Sequence, residues 1–158
     1  MNTLNLCTGN SARSIMLESL FNWLSNGRVT AYSAGSSPSG TVHLKSLFLL
    51  DRLGFDTDIF RSKNWDKFAT TDGPPMNLVI TVCGSASGEP CPIWPCTSLR
   101  AHWRVKDPAS TDQADWEVAF LTVFNQLKRR ALAFLDQRFE TIHPPALTTA
   151  LNKIRALS

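Results

Sequence analysis

The sequence lacks the features that mark membrane, secreted and nucleic-acid-binding proteins. No apolar run in its 158 residues approaches the ~20 needed to span a bilayer. No basic stretch precedes an apolar one at the N-terminus, as it would in a signal peptide. The net charge is only +3, and the cluster Lys128-Arg129-Arg130 is more typical of a solvated helix face than of a nucleic-acid patch. We therefore expect a cytoplasmic protein without a membrane or nucleic-acid partner.

Cysteine and histidine are also few, and their spacing excludes two common uses. The four cysteines and three histidines include no CxxC pair and no set with zinc-ligand spacing, so we expect no metal site built from them. Without a secretion signal, a structural disulfide framework is not expected either. These thiols therefore favour redox or nucleophilic chemistry in a reducing compartment.

What the sequence does contain is enough apolar residues, 43%, to build the core of one domain. Its patterning predicts strands near residues 3–6, 29–33, 78–82 and 101–105. It predicts helices near residues 14–25, 43–53, 114–137 and 146–157, with one turn near 65–68. Strands that alternate with helices indicate an α/β fold with a parallel sheet and helices on both faces.

The stretch 7–14, CTGNSARS, lies between the first predicted strand and the first predicted helix. A loop at a helix N-terminus offers inward-facing N–H groups and positive potential, and Arg13 can close a ring around an oxyanion. Gly9 can adopt a positive φ at low cost, and Asn10 can fix the loop through its side-chain amide. Arg13, Ser14 and the N–H groups should then lower the pKa of Cys7. The alternative is a buried structural cysteine.

Two further residues follow predicted strands and should meet Cys7 at the carboxyl edge of the sheet. Asp107, just past the fourth strand, is placed to act as a general acid, although Asp before Pro is also common in turns. Cys83 follows the third strand, and if it faces Cys7 it can attack that sulfur, after which Cys91 can attack Cys83. The alternative is unrelated thiols in a Pro-rich loop, and Cys96 is interpreted as a bystander.

At these residues the sequence resembles the low-molecular-weight tyrosine phosphatase superfamily and, within it, the arsenate reductases that use a cysteine relay. The matching stretches are LCTGNSARS at 6–14, YSAG at 32–35, ITVC at 80–83 with Cys91-Pro92, and HWRVKDPA at 102–109. The resemblance covers about residues 2–136. It implies a three-layer sandwich around a four-stranded parallel sheet, with a domain over residues 1–136 and an extension, 137–158, packed on it.

The resemblance also implies how arsenate would be reduced to arsenite. Cys7 would attack arsenic and Asp107 would protonate the departing oxygen. Cys83 would then attack Cys7 and release arsenite, and Cys91 would take over the disulfide. The oxyanion would be held by the loop residues Thr8, Gly9, Asn10, Ser11, Ala12, Arg13 and Ser14.

The resemblance further implies that no cofactor is tightly bound and that an external thiol supplies the electrons. Thioredoxin or a glutathione–glutaredoxin couple fits that role, and the activity would serve arsenical resistance. The family also suggests a monovalent cation near Asn10, Glu18 and Ser33.

Three departures from the family pattern bear on the activity. Ala12 replaces a loop cysteine found in many relatives, which is not part of the relay. Arg104 and Lys106 replace Gly and Pro and make this loop more basic. Ala109-Ser110 stands where the phosphatases carry aromatic residues, which favours the reductase.

Two other functions stay open at this point. One is a phosphatase acting on protein phosphotyrosine or small phosphoesters, which shares Cys7, Arg13 and Asp107 but has no use for the other thiols. The other is a non-catalytic oxyanion-binding or arsenite-sensing module with Cys83, Cys91 and Cys96 as soft ligands.

Overall fold

A computed structural model describes residues 1–70, 72–84 and 99–158. Its centre is a four-stranded parallel sheet in the order β2-β1-β3-β4. The strands are β1 (Asn2–Leu6), β2 (Thr30–Ala34), β3 (Leu78–Thr81) and β4 (Leu99–His102). β1 and β3 are almost entirely buried, as expected for inner strands of a parallel sheet. The predicted α/β class and four-stranded parallel sheet are confirmed.

Within these described ranges, four α-helices accompany the sheet: α1 (Arg13–Leu24), α2 (Leu44–Arg52), α3 (Trp116–Leu135) and α4 (Pro144–Ile154). The described part of the chain contains no helix long and apolar enough to cross a membrane. α4 begins two residues earlier than predicted, because prolines are tolerated in the first turn of a helix, where no backbone N–H is needed. A short 3₁₀ turn, Gln113–Asp115, replaces the predicted first residues of α3.

The two faces of the sheet are covered differently. One face carries the larger core, to which all four helices contribute, with Phe21, Trp103 and Phe134 at its centre. Burying each such side chain contributes about 1.5–3 kcal/mol. The other face carries a smaller cluster, in which Leu4, Leu6 and Val79 pack against the 3₁₀ turn Trp65–Phe68 and Met76; the turn was predicted at this position. Among the described residues, this second layer therefore contains a 3₁₀ turn and irregular chain.

The fourth strand begins earlier than predicted. It was expected over 101–105, but its pairing with β3 starts where Leu99 lies opposite Leu78. Trp103 and Val105 still donate backbone hydrogen bonds to Thr81 and Val82. The chain therefore stays beside β3 up to the point where it turns toward Asp107.

The C-terminal helix α4 packs on the same core as the sheet. Leu147, Leu151 and Ile154 are buried, and the Trp103 indole donates to the Leu151 carbonyl at 3.2 Å. The buried Arg130 of α3 bonds the carbonyls of Trp103 and Leu157, and so ties the chain end to the residue after β4. The proposed division at residue 136 itself stays a prediction.

Parallel pairing brings three strand ends to one edge. Leu6 lies opposite Ala34 of β2 and Thr81 of β3, and Thr81 lies opposite His102 of β4. The residues that follow, from Cys7 onward and from Val82 onward, therefore leave the sheet side by side. This edge is where ligands bind in open parallel sheets.

Candidate active site

The loop between β1 and α1 has its carbonyl groups turned outward. Three of them accept backbone hydrogen bonds from segment 37–43: Thr8 from Ser37 at 3.0 Å, Gly9 from Ser39 at 2.9 Å and Ser11 from His43 at 2.9 Å. Within the described part of the chain, the N–H groups of residues 9–13 donate no hydrogen bond. Unpaired N–H groups at a helix N-terminus form a site for an anion.

The loop turns at Asn10 and makes no use of the conformational freedom of Gly9. Asn10 has φ +43°, whereas Gly9 is not in the left-handed region. Asparagine tolerates this conformation because its side chain can bond locally. Its amide does fix the loop, as expected: Nδ2 donates to Ser14 and Ser33, and Oδ1 accepts from the Lys63 N–H.

Arg13 lies beside the loop with part of its guanidinium still unsatisfied. Nη2 donates to Asp107 at 3.0 Å and Nη1 donates to the Val105 carbonyl at 3.3 Å. Nε is buried and has no hydrogen-bond partner within residues 1–70, 72–84 and 99–158. Because a buried unpaired donor costs free energy, this nitrogen and the loop N–H groups together favour a bound anion.

A cavity of about 230 Å³ joins these groups. Its lining consists of Cys7, Thr8, Gly9, Ser11, Ala12, Arg13, Asp107 and Ala109. The predicted site residues Asn10 and Ser14 are fully buried and lie behind the loop instead of lining the cavity. Ser14 Oγ accepts from Asn10, and among the described residues it makes no hydrogen bond to Cys7.

The two described cysteines, Cys7 and Cys83, face each other across the edge of the sheet. They are 4% and 3% exposed, and their side chains share a hydrogen bond. The Thr8 N–H also donates to Cys83 Sγ at 3.3 Å. The first contact that the relay requires, that of Cys83 with Cys7, is therefore present. Cys91, the predicted second partner, and Cys96 lie outside the described residues.

The expected low pKa of Cys7 is wrong for this arrangement. The hydrogen bond with Cys83 and burial raise the pKa of Cys7, although the charge of Arg13 lowers it. The prediction failed because it considered only the loop and its arginine. The contact with the Cys83 thiol raises the pKa of Cys7 by more than Arg13 lowers it.

Asp107 reaches the cavity at the start of a 3₁₀ turn, Pro108–Ser110. Oδ2 accepts from Arg13 and Oδ1 from the Ala109 N–H, so the carboxylate is also the cap of this turn. Asp107 therefore lies at the cavity, as its interpretation as a general acid requires, and also caps a turn, as the alternative interpretation predicted. Acting as a proton donor requires this carboxyl group to release Arg13 when an anion arrives.

The basic loop predicted from Arg104 and Lys106 borders the site. These residues, with Arg13, Gly84, Val105 and Asp107, line an open cleft of about 610 Å³. Positive charge therefore surrounds one approach to the cavity, which favours anion entry.

Two residues that the sequence analysis did not single out lie against the loop. An added Cβ on Gly35 would come within 2.3 Å of the Thr8 carbonyl oxygen, so only glycine fits there. Lys63 immediately precedes Asn64, which forms a short parallel bridge with Gly35, and its ammonium group lies 3.7 Å from Glu18. YSAG at 32–35 marked the position of the glycine, but nothing in the polar segment 55–75 pointed to Lys63.

Comparisons with known proteins agree with this geometry. The family model described as low molecular weight phosphotyrosine protein phosphatase matches residues 2–143. The arsenate reductase of Halalkalibacterium halodurans is 32% identical over 134 residues, which cover 83% of this chain and 92% of that protein. The arsenate reductase of Bacillus subtilis is 30% identical, with the same coverage.

The structural comparison gives the same relationship. A solved arsenate reductase in a phosphate-binding state superposes with a TM-score of 0.68 and 25% identity, covering 85% of this chain and 96% of that one. The oxyanion loop, the parallel sheet that presents it and the matched length together show that this chain belongs to the low molecular weight phosphotyrosine protein phosphatase family.

Proposed function

We propose that this chain is an arsenate reductase that converts arsenate to arsenite through a thiol relay. The observation that carries the proposal is the contact of Cys83 with Cys7 behind an oxyanion cavity. A phosphatase needs a nucleophile, an arginine and a general acid, and has no use for a second thiol against the first. The curated relatives named as arsenate reductases support the same activity.

In the first step, arsenate binds to the loop N–H groups and to Arg13. Cys7 Sγ bonds to arsenic, one As–O bond breaks, and that oxygen leaves as water. Its two protons come from the Cys7 thiol and from a hydroxyl group of arsenate, and Asp107 is placed to pass a proton to the departing oxygen. The anion supplies a proton acceptor at the point where Cys7 must lose its proton.

In the second step, Cys83 attacks Cys7 Sγ. The S–S bond forms as the S–As bond breaks, and its electron pair stays on arsenic, which is reduced from As(V) to As(III). Cys91 then attacks Cys83, which frees Cys7 and leaves a Cys83–Cys91 disulfide for an external dithiol. The reaction uses no resident cofactor.

Thioredoxin, or glutathione with glutaredoxin, is the proposed electron donor. Both couples are maintained in reducing compartments, so the proposal also places the protein in the cytoplasm. Arg13, Arg104 and Lys106 surround the approach to the cavity with positive charge, which suits an anionic substrate.

The test is arsenate-dependent NADPH oxidation, coupled separately to thioredoxin with its reductase and to glutaredoxin with glutathione and its reductase. The wild type should turn over many times with at least one couple. Cys83→Ser and Cys91→Ser should stall within the first turnover, and Cys96→Ser is the matched control that should not. Equal activity of Cys83→Ser and wild type would eliminate the relay, and no arsenate-dependent oxidation with either couple would contradict the proposed function.

A further inference from the structure

A buried pair of opposite charges lies behind the oxyanion loop, and the proposed reaction does not use it. Glu18 of α1 and Lys63 have side chains that are 15% and 19% exposed, and Nζ lies 3.7 Å from Oε2. Burial raises the pKa of Glu18 and lowers the pKa of Lys63, and each charge opposes the shift of the other. Such a pair is retained at a cost in desolvation, which suggests a role beyond stability.

A chain of hydrogen bonds connects this pair to the loop. The Ser33 hydroxyl donates to Glu18 Oε2 at 2.5 Å. Its oxygen can therefore accept from Asn10 Nδ2 at 2.9 Å and from Lys63 Nζ at 3.4 Å. The ionised state of Glu18 thus sets the direction of every hydrogen bond up to Asn10, the residue at which the loop turns.

The direction of that chain depends on a positive charge next to Glu18. Without one, the buried carboxylate would take up a proton, because burial favours its neutral form. A protonated Glu18 would donate to Ser33 and turn the Ser33 hydrogen toward the Asn10 NH₂ group. Two donors would then face each other, and Asn10 would lose a hydrogen bond that fixes the loop.

Lys63 Nζ occupies the place where the family resemblance suggests a monovalent cation. Its neighbours are Glu18 Oε2, Ser33 Oγ and the Arg61 carbonyl oxygen, the last at 3.2 Å. These oxygen atoms are the ligands that an alkali cation would take. Because an ammonium group already lies among them, the residues present do not fit an additional cation.

We propose that Lys63 is a positioning residue that acts as a built-in monovalent cation, orienting the Glu18–Ser33–Asn10 chain and holding the oxyanion loop ready for its anion. The backbone of Lys63 bonds Asn10 Oδ1 and the Gly35 N–H independently of the side chain. Lys63→Ala should therefore keep the local chain path and open space among three oxygen ligands. The inference rests on the proposed function only in taking this cavity as the anion site.

The experiment measures inorganic phosphate affinity, which needs no electron donor, in potassium chloride and in choline chloride at equal ionic strength. Wild type should bind equally in both. Lys63→Ala should bind about tenfold more weakly in choline, as expected when a charged hydrogen bond is lost, and potassium should restore most of that affinity. Lys67→Ala, an exposed lysine four positions away, is the matched control and should behave as wild type. Lys63→Ala/Glu18→Gln lacks the unbalanced carboxylate and should show no response to potassium.

Each other result counts against the inference. A potassium response of wild type would mean that Lys63 does not supply the cation. Weak binding by Lys63→Ala that potassium leaves unchanged would show a merely structural role. If wild type binds no phosphate in either salt, the proposed function is contradicted instead. In that case the inference about Lys63 is tested by the thermal unfolding midpoints of the ligand-free proteins. Potassium must raise the midpoint of Lys63→Ala and leave the midpoint of wild type unchanged.

Discussion

The oxyanion loop has a front, formed by the cavity with Cys7, Arg13 and Asp107, and a back, formed by Asn10, Ser14, Ser33, Glu18 and Lys63. At the back, both ends of the Asn10 amide are bonded, and Lys63 and Glu18 neutralise each other. At the front, Arg13 Nε and the N–H groups of residues 9–13 have no partner among the described residues. The back fixes the backbone so that the front can keep its donors available for an anion.

Removing a front group should therefore affect function far more than stability. Arg13→Met removes the guanidinium, and we expect roughly a 10³-fold loss in kcat/KM for arsenate, the range seen when an oxyanion donor is deleted. The free energy of unfolding should change by at most about 1 kcal/mol, since the Asp107 partner is half exposed. Steady-state kinetics and urea denaturation measure the two effects.

Arg13→Lys is the control for charge alone. It keeps the positive charge but loses the planar fork, so it should fall between wild type and Arg13→Met. Phosphate affinity within threefold of wild type in Arg13→Met would show that the front does not depend on this side chain.

Removing a group at the back of the loop should instead affect stability more than function. Asn10→Ala loses its side-chain hydrogen bonds and places alanine at φ +43°, so we expect a loss of roughly 3 kcal/mol in the free energy of unfolding. Asn10→Gly loses the same hydrogen bonds without the backbone strain and should be about 1 kcal/mol more stable than Asn10→Ala. Equal stability of the two in urea denaturation would mean that the left-handed conformation is not retained.

Gly35→Ala tests the close approach behind the loop. The added Cβ would lie 2.3 Å from the Thr8 carbonyl oxygen, so the loop must shift, at a cost of about 2 kcal/mol together with weaker phosphate binding. Gly54→Ala is the control: its φ of +85° is strained for alanine, but among the described residues no atom beyond its chain neighbours lies within 4 Å of the new Cβ. Gly54→Ala should lose stability and keep its phosphate affinity. A loss of phosphate affinity in both variants would contradict the role assigned to the close approach of Gly35 to the loop.

The front was largely predictable from the sequence because local patterns specify it. An apolar strand precedes Cys7, another precedes Cys83, and Asp107 follows a third, so parallel pairing alone brings them to one edge. The sequence did not show that Asn10 is the left-handed residue and Gly9 is not, since this depends on what the Asn10 amide can bond. That partner, the Lys63 N–H, is 53 positions away.

At the back, Lys63 could not be predicted for the same reason. Lys63 lies in a polar segment without hydrophobic periodicity, and only the bridge of Asn64 to Gly35 brings it to the loop. A lysine in such a segment is more typical of a solvated surface. The pKa of Cys7 was likewise predicted in the wrong direction, because that prediction considered the loop and Arg13 and left out the hydrogen bond with Cys83.

The smallest expected effect concerns the thiol contact at the front. Cys83→Ala removes the hydrogen bond that raises the pKa of Cys7 and leaves the opposing charge of Arg13. More thiolate should then be present at neutral pH, and iodoacetamide should alkylate Cys7 severalfold faster. The midpoint of the rate against pH should move to lower pH.

That midpoint is the decisive quantity, because removing the Cys83 side chain also changes access to Cys7 and hence the absolute rate. Cys83→Ser keeps a hydrogen-bonding group at the same place and should move the midpoint less than Cys83→Ala does. Since folding raises the pKa of Cys7, wild-type stability should fall as the pH rises above about 8.5, the ordinary thiol value, and fall less steeply in Cys83→Ala. An unchanged midpoint in Cys83→Ala would mean that burial alone holds the proton on Cys7. Generating the nucleophile would then depend on the bound anion and not on Cys83.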